Sequence, residues 1–522
     1  MNIKNIKLNK ESFLLNPINW VITFSSLFLT WLAIHNHLIN EDGILYLQVA
    51  EDFLKNGFTS AAQMFAWPFY PILIALISKT LKIKLITSTY AINTILQLII
   101  VFSFLSIFKK FNPTNRQYFF AVCTIILFPQ LNEYRSLIVR DFGYWAFSLI
   151  GINNLMCYSI ACQNKNLAYD KIWYITCFYT AFFTAFLFRT EALLLLAALP
   201  LGLLFNRHIS YKNLIAIYIP GIVVSIILAL SCLVLIDSHK LSSFVNYGAK
   251  LDVFKFLAHT YHAKLEVVNK QLFPMTHNNF LGNLLFLWLG LFAIFVNKFI
   301  TMFTLVNTVF LICFTFFYLR QHNNQHFKLI AFSGLMTLLI PTAFLYLVFV
   351  ISGRYYLLST LLFLLFVPFG ADYLFEKILQ NKKYHQVLSY SFVLIFPIIL
   401  LGINLDSLTV FGNDKTYIKQ AGVWYKQNIL PMDLAASNNN QLRYYADLPP
   451  SALAEIQADK LLESSYEYTL LKIGRKDHTN LDLISDLSNQ NKIIVLQKFI
   501  NKKHDVIFII KKAPVINQTF II

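Results

Sequence analysis

Apolar runs of roughly 17 to 25 residues recur from residue 18 to residue 404, each long enough to cross a ~30 Å hydrocarbon core as a helix. A backbone in lipid must satisfy its own hydrogen bonds, so a spanning segment is either a helix or part of a closed barrel. Leu, Ile and Phe follow one another here without the in-out alternation of barrel strands, which leaves helices. Composition agrees: 57% of the 522 residues are hydrophobic, 13% are charged and mean hydropathy is +0.57. That is too little polar surface to cover a water-soluble globule.

Charge marks a boundary within the chain. Residues 405–522 carry 14 Lys and Arg against 12 Asp and Glu, whereas the much longer segment 1–404 carries 29 against 14. Two domains are therefore expected: an all-α polytopic membrane domain over 1–404, with about 11 to 13 membrane helices, and a small soluble α/β domain over 405–522. In the latter, "TYIKQAGVWYKQNI" (416–429) has helical spacing of Ile418, Ala421 and Tyr425, and the segments 492–499 and 505–512 read as a strand hairpin. The net charge of +17 divides into +15 and +2, so the basic excess belongs to membrane ends, where Lys and Arg fix orientation and meet anionic lipid. Membrane lipids are expected partners and nucleic acid is not. All six cysteines lie inside apolar runs and read as small core residues, neither a disulfide framework nor a metal site.

Flanking charges orient the runs. The basic start of the chain (Lys4, Lys7, Lys10) reads as cytoplasmic and residues 18–38 as a retained first helix. Residues 67–81 are too short to span comfortably and suit a helix at the outer surface. The run 85–108 ends inside at Lys109 and Lys110, and "NEYRSLIVRD" (132–141) falls outside. Residues 237–280 read as a polar outer loop. Residues 281–319 look like two helices interrupted at Asn297 and Lys298. Lys377, Lys382 and Lys383 hold the loop before the last helix (386–404) inside, which places the tail outside.

Against this background a few charges stand out. Of 14 acidic residues before residue 405, four, Glu41, Asp42, Glu51 and Asp52, cluster just after the first apolar run. Asn40 or Asp42 suits the N-cap of a surface helix, and a carboxylate at the lip of a bundle is also placed to take a proton from a hydroxyl. In 132–141, Arg140 and Asp141 read either as an interfacial charge pair or as a phosphate-binding fork beside a second carboxylate. Arg189 and Glu191 interrupt "FLFRTEALLLL", a depth at which charges face protein or a polar cavity. Arg354 opens "GRYYLLSTLLF", where Tyr355 and Tyr356 read as interfacial anchors. The histidines, among them His35, His37, His259, His262 and His277, show no metal-ligand spacing with carboxylates; ligand spacing does not support a divalent metal, which the sequence leaves open, and the cofactor is unknown at this point.

Taken in order, "DGILYLQVA", "WPFYPILIALISK", "YRSLIVRD", "FRTEALLLL" and "GRYYLLSTLLFLLF" resemble the polytopic GT-C glycosyltransferases, most nearly the bacterial protein O-mannosyltransferase and lipid A aminoarabinose transferase type. The likeness extends over residues 18–404, and the start of the tail resembles the outer domain of such proteins. It implies an enzyme of the bacterial inner membrane with a periplasmic tail. Its reaction would move a sugar from a polyprenyl-phosphate carrier to an acceptor hydroxyl on lipid, glycan or protein, with inversion. Asp42 matches the family's acidic residue of the first outer loop, with Glu41 beside it as the competing carboxylate. Asp141 matches the second acidic residue, and Arg140, Arg189 and Arg354 would surround the carrier phosphate. Other readings are a polytopic lipid-linked glycan ligase or polymerase, using the loop 237–280 with Lys250, His259 and His262, or a transporter or flippase.

Overall fold

The computed structural model describes residues 16–35, 38–164, 167–206, 209–235, 263, 265–267, 280–321, 324–379, 395–405, 415–429, 435–454, 461–462 and 465–513. Outside these lie Lys4, Lys7, Lys10, His37, Lys250, His259, His262, His277, Lys382, Lys383 and nearly all of the loop 237–280.

The membrane domain begins with α1 (Pro17–His35), α2 (Glu41–Asn56), α3 (Phe58–Met64), α4 (Phe69–Leu81), α5 (Leu85–Lys109) and α6 (Asn115–Ile126). It continues with α7 (Pro129–Tyr134), α8 (Asp141–Gln163), α9 (Ala168–Phe188), α10 (Ala192–Ala198, prolonged as a 3-10 helix to Phe205) and α11 (Tyr211–Leu235). Then come α12 (Phe280–Phe303), α13 (Leu305–Cys313, followed by a π-helical turn), α14 (Gln325–Ala343), α15 (Gly353–Leu364), α16 (Val367–Leu379) and α17 (Ile395–Leu405). Among the described residues six helices are long and apolar enough to cross a membrane, or seven when α15 and α16, bent by 45° at their junction, are taken as one span. Five shorter apolar helices accompany them, so helix length alone does not establish the larger number expected from sequence.

One of the short helices has a clear reason for its length. The Tyr70 hydroxyl donates to Asn93 at 2.6 Å and the Ser88 hydroxyl donates to the Ile74 carbonyl at 3.0 Å, so α4 runs antiparallel to the first half of α5. Packed this way it buries Tyr70, Ile74 and Ala75. The expected interruption at Asn297 and Lys298 is corrected: α12 runs through both without a break, and the chain turns at Thr304, whose φ is 70° and whose hydroxyl caps α13 at Asn307. Asn297 lies exposed, and a polar residue on an exposed helical face does not oblige the backbone to stop.

Contacts sort the helix ends into two groups. At one end Lys110 reaches Asn153 at 2.5 Å and Arg116 pairs with Asp372 and with Glu376, the latter at 2.8 Å. At the other end lie the first turns of α2, α8 and α15 and the last turn of α9.

The C-terminal domain is a four-stranded sheet carrying three helices. Its strands are β1 (Ala435–Ser437), β2 (Tyr468–Ile473), β3 (Ile493–Ile500) and β4 (Val506–Lys512), in the order β1-β2-β4-β3, with β1 parallel to β2 and the other pairs antiparallel. The expected hairpin is thus present, with a bulge between Val495 and Gln497. The helices are α18 (Thr416–Asn428), α19 (Asn440–Tyr445) and α20 (His478–Asn489), and Ile418, Ala421 and Tyr425 are buried as their spacing required. Gly422 lets α18 and α19 touch: a Cβ there would lie 2.6 Å from that of Tyr445.

Asp505 staples the hairpin turn. Its carboxylate accepts the Arg475 backbone N–H at 3.0 Å and the Asn501 side-chain amide at 2.9 Å, and these bonds, the Arg475 N–H first, hold its pKa below the ordinary carboxylate value. A carboxyl depressed in the folded state stabilises it fully above the unfolded pKa, about 3.9, and the contribution is lost as pH falls through the folded value. Amide exchange in 493–512 is therefore expected to quicken as pH drops below about 4 after correction for intrinsic rates, and Asp505→Asn is expected to abolish most of that dependence.

Candidate active site

The site is built where helix ends meet. Residues 38–40 are extended and α2 starts at Glu41 with Asn40 at its N-cap, but Asn40 makes no capping hydrogen bond. Its side chain bridges the backbone of Ile138 instead, donating to the carbonyl at 3.0 Å and accepting the N–H at 2.8 Å. The next glycine follows from that approach: a Cβ on Gly43 would sit 2.8 Å from the Ile138 Cβ. Neither Asn40 nor Asp42 is a simple helix cap.

Asp42 faces Arg354. Its Oδ2 accepts from Nη1 at 2.5 Å, with the two side chains 42% and 31% exposed, so this ion pair stands at the lip of the bundle. Its Oδ1 has no hydrogen-bond partner among the described residues. Glu41, one residue earlier, is exposed and lies within electrostatic reach of Lys472 in the C-terminal domain. Consecutive helical residues point about 100° apart, and here the two neighbours address different domains.

Below the pair lies a buried triad. Asp141, at the first position of α8, binds Arg189 Nη1, while Glu191 takes the other edge of the same guanidinium with Oε1 at 2.5 Å from Nη2 and Oε2 at 3.2 Å from Nε. Asp141 and Arg189 are almost wholly buried. Glu191 is largely buried as well, and its charge is offset by the Arg189 guanidinium. Arg354 feels the charge of Asp141 as well as that of Asp42.

Arg140 differs from the other cations. It forms no ion pair among the described residues, packs over the Phe65 ring at 5.3 Å and is half-buried at the N-cap of α8. Its charge reaches Tyr46 and Glu191. Three arginines and three carboxylates thus share one helix-end cluster, formally neutral, with one guanidinium still open. No group of three or more His, Cys, Asp or Glu side chains suited to a metal occurs among the described residues.

Of the six residues proposed from sequence as catalytic or phosphate-binding, Asp42, Asp141, Arg140, Arg189 and Arg354 lie in or beside this cluster, while Glu41 stands apart; Glu191, also noted in the sequence, joins them. Tyr355 requires a correction. It is not an interfacial anchor but a slab in the site, under Arg189 at 4.5 Å and Arg354 at 5.6 Å and stacked on Phe344 at 4.6 Å. Tyr356 is fully buried. Tyr46, part of the stretch "DGILYLQVA", joins the site; burial first, and then the balance of Arg140 against Asp42 and Asp141, push its hydroxyl pKa up to about 12. The one signal for it is its position four residues after Asp42 on the same helical face.

No protein-family model and no curated protein sequence matches this chain. Solved structures do share its architecture. ArnT from Cupriavidus metallidurans in the apo state superposes with a TM-score of 0.52 at 10% identity, covering 94% of this chain and 98% of that one. The archaeal oligosaccharyltransferase AglB from Archaeoglobus fulgidus, in complex with an inhibitory peptide and a dolichol-phosphate, gives 0.51 at 12% identity, covering 95% of this chain and 74% of that one. The chain shares the fold of these two proteins.

The triad predicts a sharp stability response. Arg189→Met would leave Asp141 and Glu191 buried without their cation, at a cost of about 3–5 kcal/mol. Purified yield and thermal midpoint should both fall steeply, whereas Arg140→Met, which breaks no ion pair, should leave both near wild type.

Proposed function

We propose that the protein is a membrane glycosyltransferase that moves a sugar from a polyprenyl-phosphate carrier to an acceptor hydroxyl. The observation that carries this reading is the Asp42–Arg354 pair at the lip of an apolar bundle, with an unpaired arginine beside it and a neutralised arginine beneath it. The GT-C fold supports it, as does the presence of a dolichol-phosphate in the archaeal neighbour.

The chemistry follows from the arrangement. An apolar carrier stays in lipid while its phosphate meets Arg140 and Arg354, whose forked donors suit phosphate oxygens. Arg189 adds positive potential from below but is largely spent on Asp141 and Glu191, so its part is to hold Asp141 in place under Arg354. The acceptor oxygen attacks the anomeric carbon, its proton passes to Asp42, and the bond from that carbon to the phosphate oxygen breaks on the opposite side, inverting the configuration. Charge growing on the departing phosphate is offset by the two guanidinium groups. Arg354 fixes the Asp42 carboxylate through Oδ2 and leaves Oδ1 to accept the proton.

We place this site at the outer, periplasmic face of a bacterial inner membrane, because Lys109, Lys110, Arg116 and Lys377 gather at the opposite end of the bundle, as cytoplasmic charges do. A phosphatase fused to the C-terminus should be active outside the cytoplasm, and a fluorescent protein fused there by the same export route should stay dark.

The assay for the reaction is transfer of labelled sugar from polyprenyl-phosphate donor in detergent. Asp42→Asn is expected to lower the initial rate roughly 10²- to 10⁴-fold at matched folded concentration, while Glu41→Gln, facing the C-terminal domain, stays close to wild type. Arg354→Lys keeps a charge but loses the fork, so donor affinity should fall. An active Asp42→Asn with a dead Glu41→Gln would move the base to Glu41; full activity in both would remove the carboxylate from the mechanism.

A further inference from the structure

Asp42 touches one described side chain, Arg354, so where its carboxylate stands depends on where α2 begins. That starting point is held from outside the membrane domain. The Ile39 backbone N–H donates to the Tyr445 hydroxyl at 3.1 Å, and the Gln441 side-chain amide donates to the Ile39 carbonyl at 2.7 Å. Both backbone groups of Ile39 are therefore satisfied by α19 of the C-terminal domain. Leu38 is buried in the core of that domain, with Tyr417, Ile418 and Leu442. On the other side Asn40 is bound to Ile138 in the loop that leads to Asp141. Three successive residues immediately before α2 are thus gripped from two directions, and the acidic pair follows at once.

The grip has its own support. Tyr445 ends a short helix that Gly422 allows to lie directly against α18, and the Asn439 side chain caps the start of α19 at Leu442. A buried N–H or carbonyl left unpaired is costly, so a segment without secondary structure such as 38–40 holds its path only while these partners are present. If Asp42 is the base, an error of about 1 Å in its placement costs on the order of 10²-fold in rate.

We propose that Gln441 and Tyr445 are positioning residues: the C-terminal domain, through the Ile39 backbone, sets the place of the Asp42 carboxylate at the active site. The domain is then a working part of the catalytic centre and not an appended module. Substitutions about 400 positions downstream in sequence should act on turnover.

This rests on the glycosyltransferase reading, and the experiment separates the two. Tyr445→Phe removes one hydroxyl and Gln441→Met one amide at nearly constant volume. In the full-length protein, each is expected to lower kcat roughly tenfold and the double variant on the order of 10²-fold, with the KM for polyprenyl-phosphate donor within about twofold because Arg140 and Arg354 are untouched. Amide exchange supplies a readout independent of activity: Ile39 and its neighbours should exchange faster in both variants, while α18 and β4 keep their protection. Wild-type kcat in the double variant, with transfer by the wild type intact, overturns the positioning role and leaves the functional reading standing. Unchanged exchange at Ile39 also overturns it. If wild type itself transfers no sugar, the functional reading has failed, and faster exchange at Ile39 still decides whether the grip exists. Loss of protection throughout α18 and β4 would show general unfolding of the domain and refute a local role.

Discussion

The arrangement turns on one guanidinium. Arg189 lies at the end of a long apolar helix, almost wholly buried, and two carboxylates from the starts of the next helix and of α8 close on it. A lone charge at this depth is costly to hold, so α8, α9 and α10 are obliged to bring Asp141, Arg189 and Glu191 to the same place. The triad carries a net negative charge, and that in turn favours a further cation above it. Arg354, within electrostatic reach of Asp141, fills this role, binds Asp42 through Nη1 and so ties α15 to α2. Four segments distant in sequence are fixed relative to one another by charge neutralisation inside an apolar surround, and the open guanidinium of Arg140 is left over at the lip. Packing alone, with Leu and Phe against Leu and Phe, would hold these helices together without specifying which ends meet.

Much of this is legible in the sequence. Charged residues are rare enough between residues 18 and 404 that each one interrupting an apolar run asks for a partner, and on that ground alone Asp42, Asp141, Arg189, Glu191 and Arg354 stand out. The pairing among them is not legible, because nothing in Arg189 itself says whether it meets a phosphate or two carboxylates. Tyr355 misleads for a related reason. A tyrosine beside an arginine at a helix start suits a membrane interface, and only the convergence of two guanidinium groups on its ring reveals a slab within the site. Arg135 shows the opposite failure. It sits in the same charged stretch as Arg140, yet it is fully buried and bonded to Asn132, Ser26, Thr30 and Gln97, a neutral polar nest assembled from three separate helices. No local pattern announces such a nest.

Helix boundaries follow hydropathy where the run is long and depart from it where the run is compound. α5 and α8 agree with their apolar runs to within a residue or two. The apolar stretch 118–131 is divided between α6 and α7, because Pro129 suits the first position of a new helix and has no N–H to continue the old one. The run 281–319 is divided at Thr304, where a threonine cap and a positive φ restart the helix. Polar residues within a run, such as Asn297, are weaker punctuation than a residue whose side chain satisfies the orphaned N–H groups of the next helix.

The two domains are separable by charge, and that separability conceals their dependence on each other. The composition of residues 405–522 says that they fold in water, and the hairpin and helix read from them are present. It does not say that Leu38, counted with the first membrane helix by hydropathy, belongs to the core of the C-terminal domain. The three residues directly before α2, 38–40, are too few to form an element of their own, and their backbone polar groups need partners. The C-terminal domain offers them to Ile39, while the Asn40 side chain ties the segment to the backbone of Ile138 in the membrane domain. An acidic residue placed directly after such a segment inherits its position from both domains at once, so the boundary that charge draws at residue 405 is not a boundary of the site.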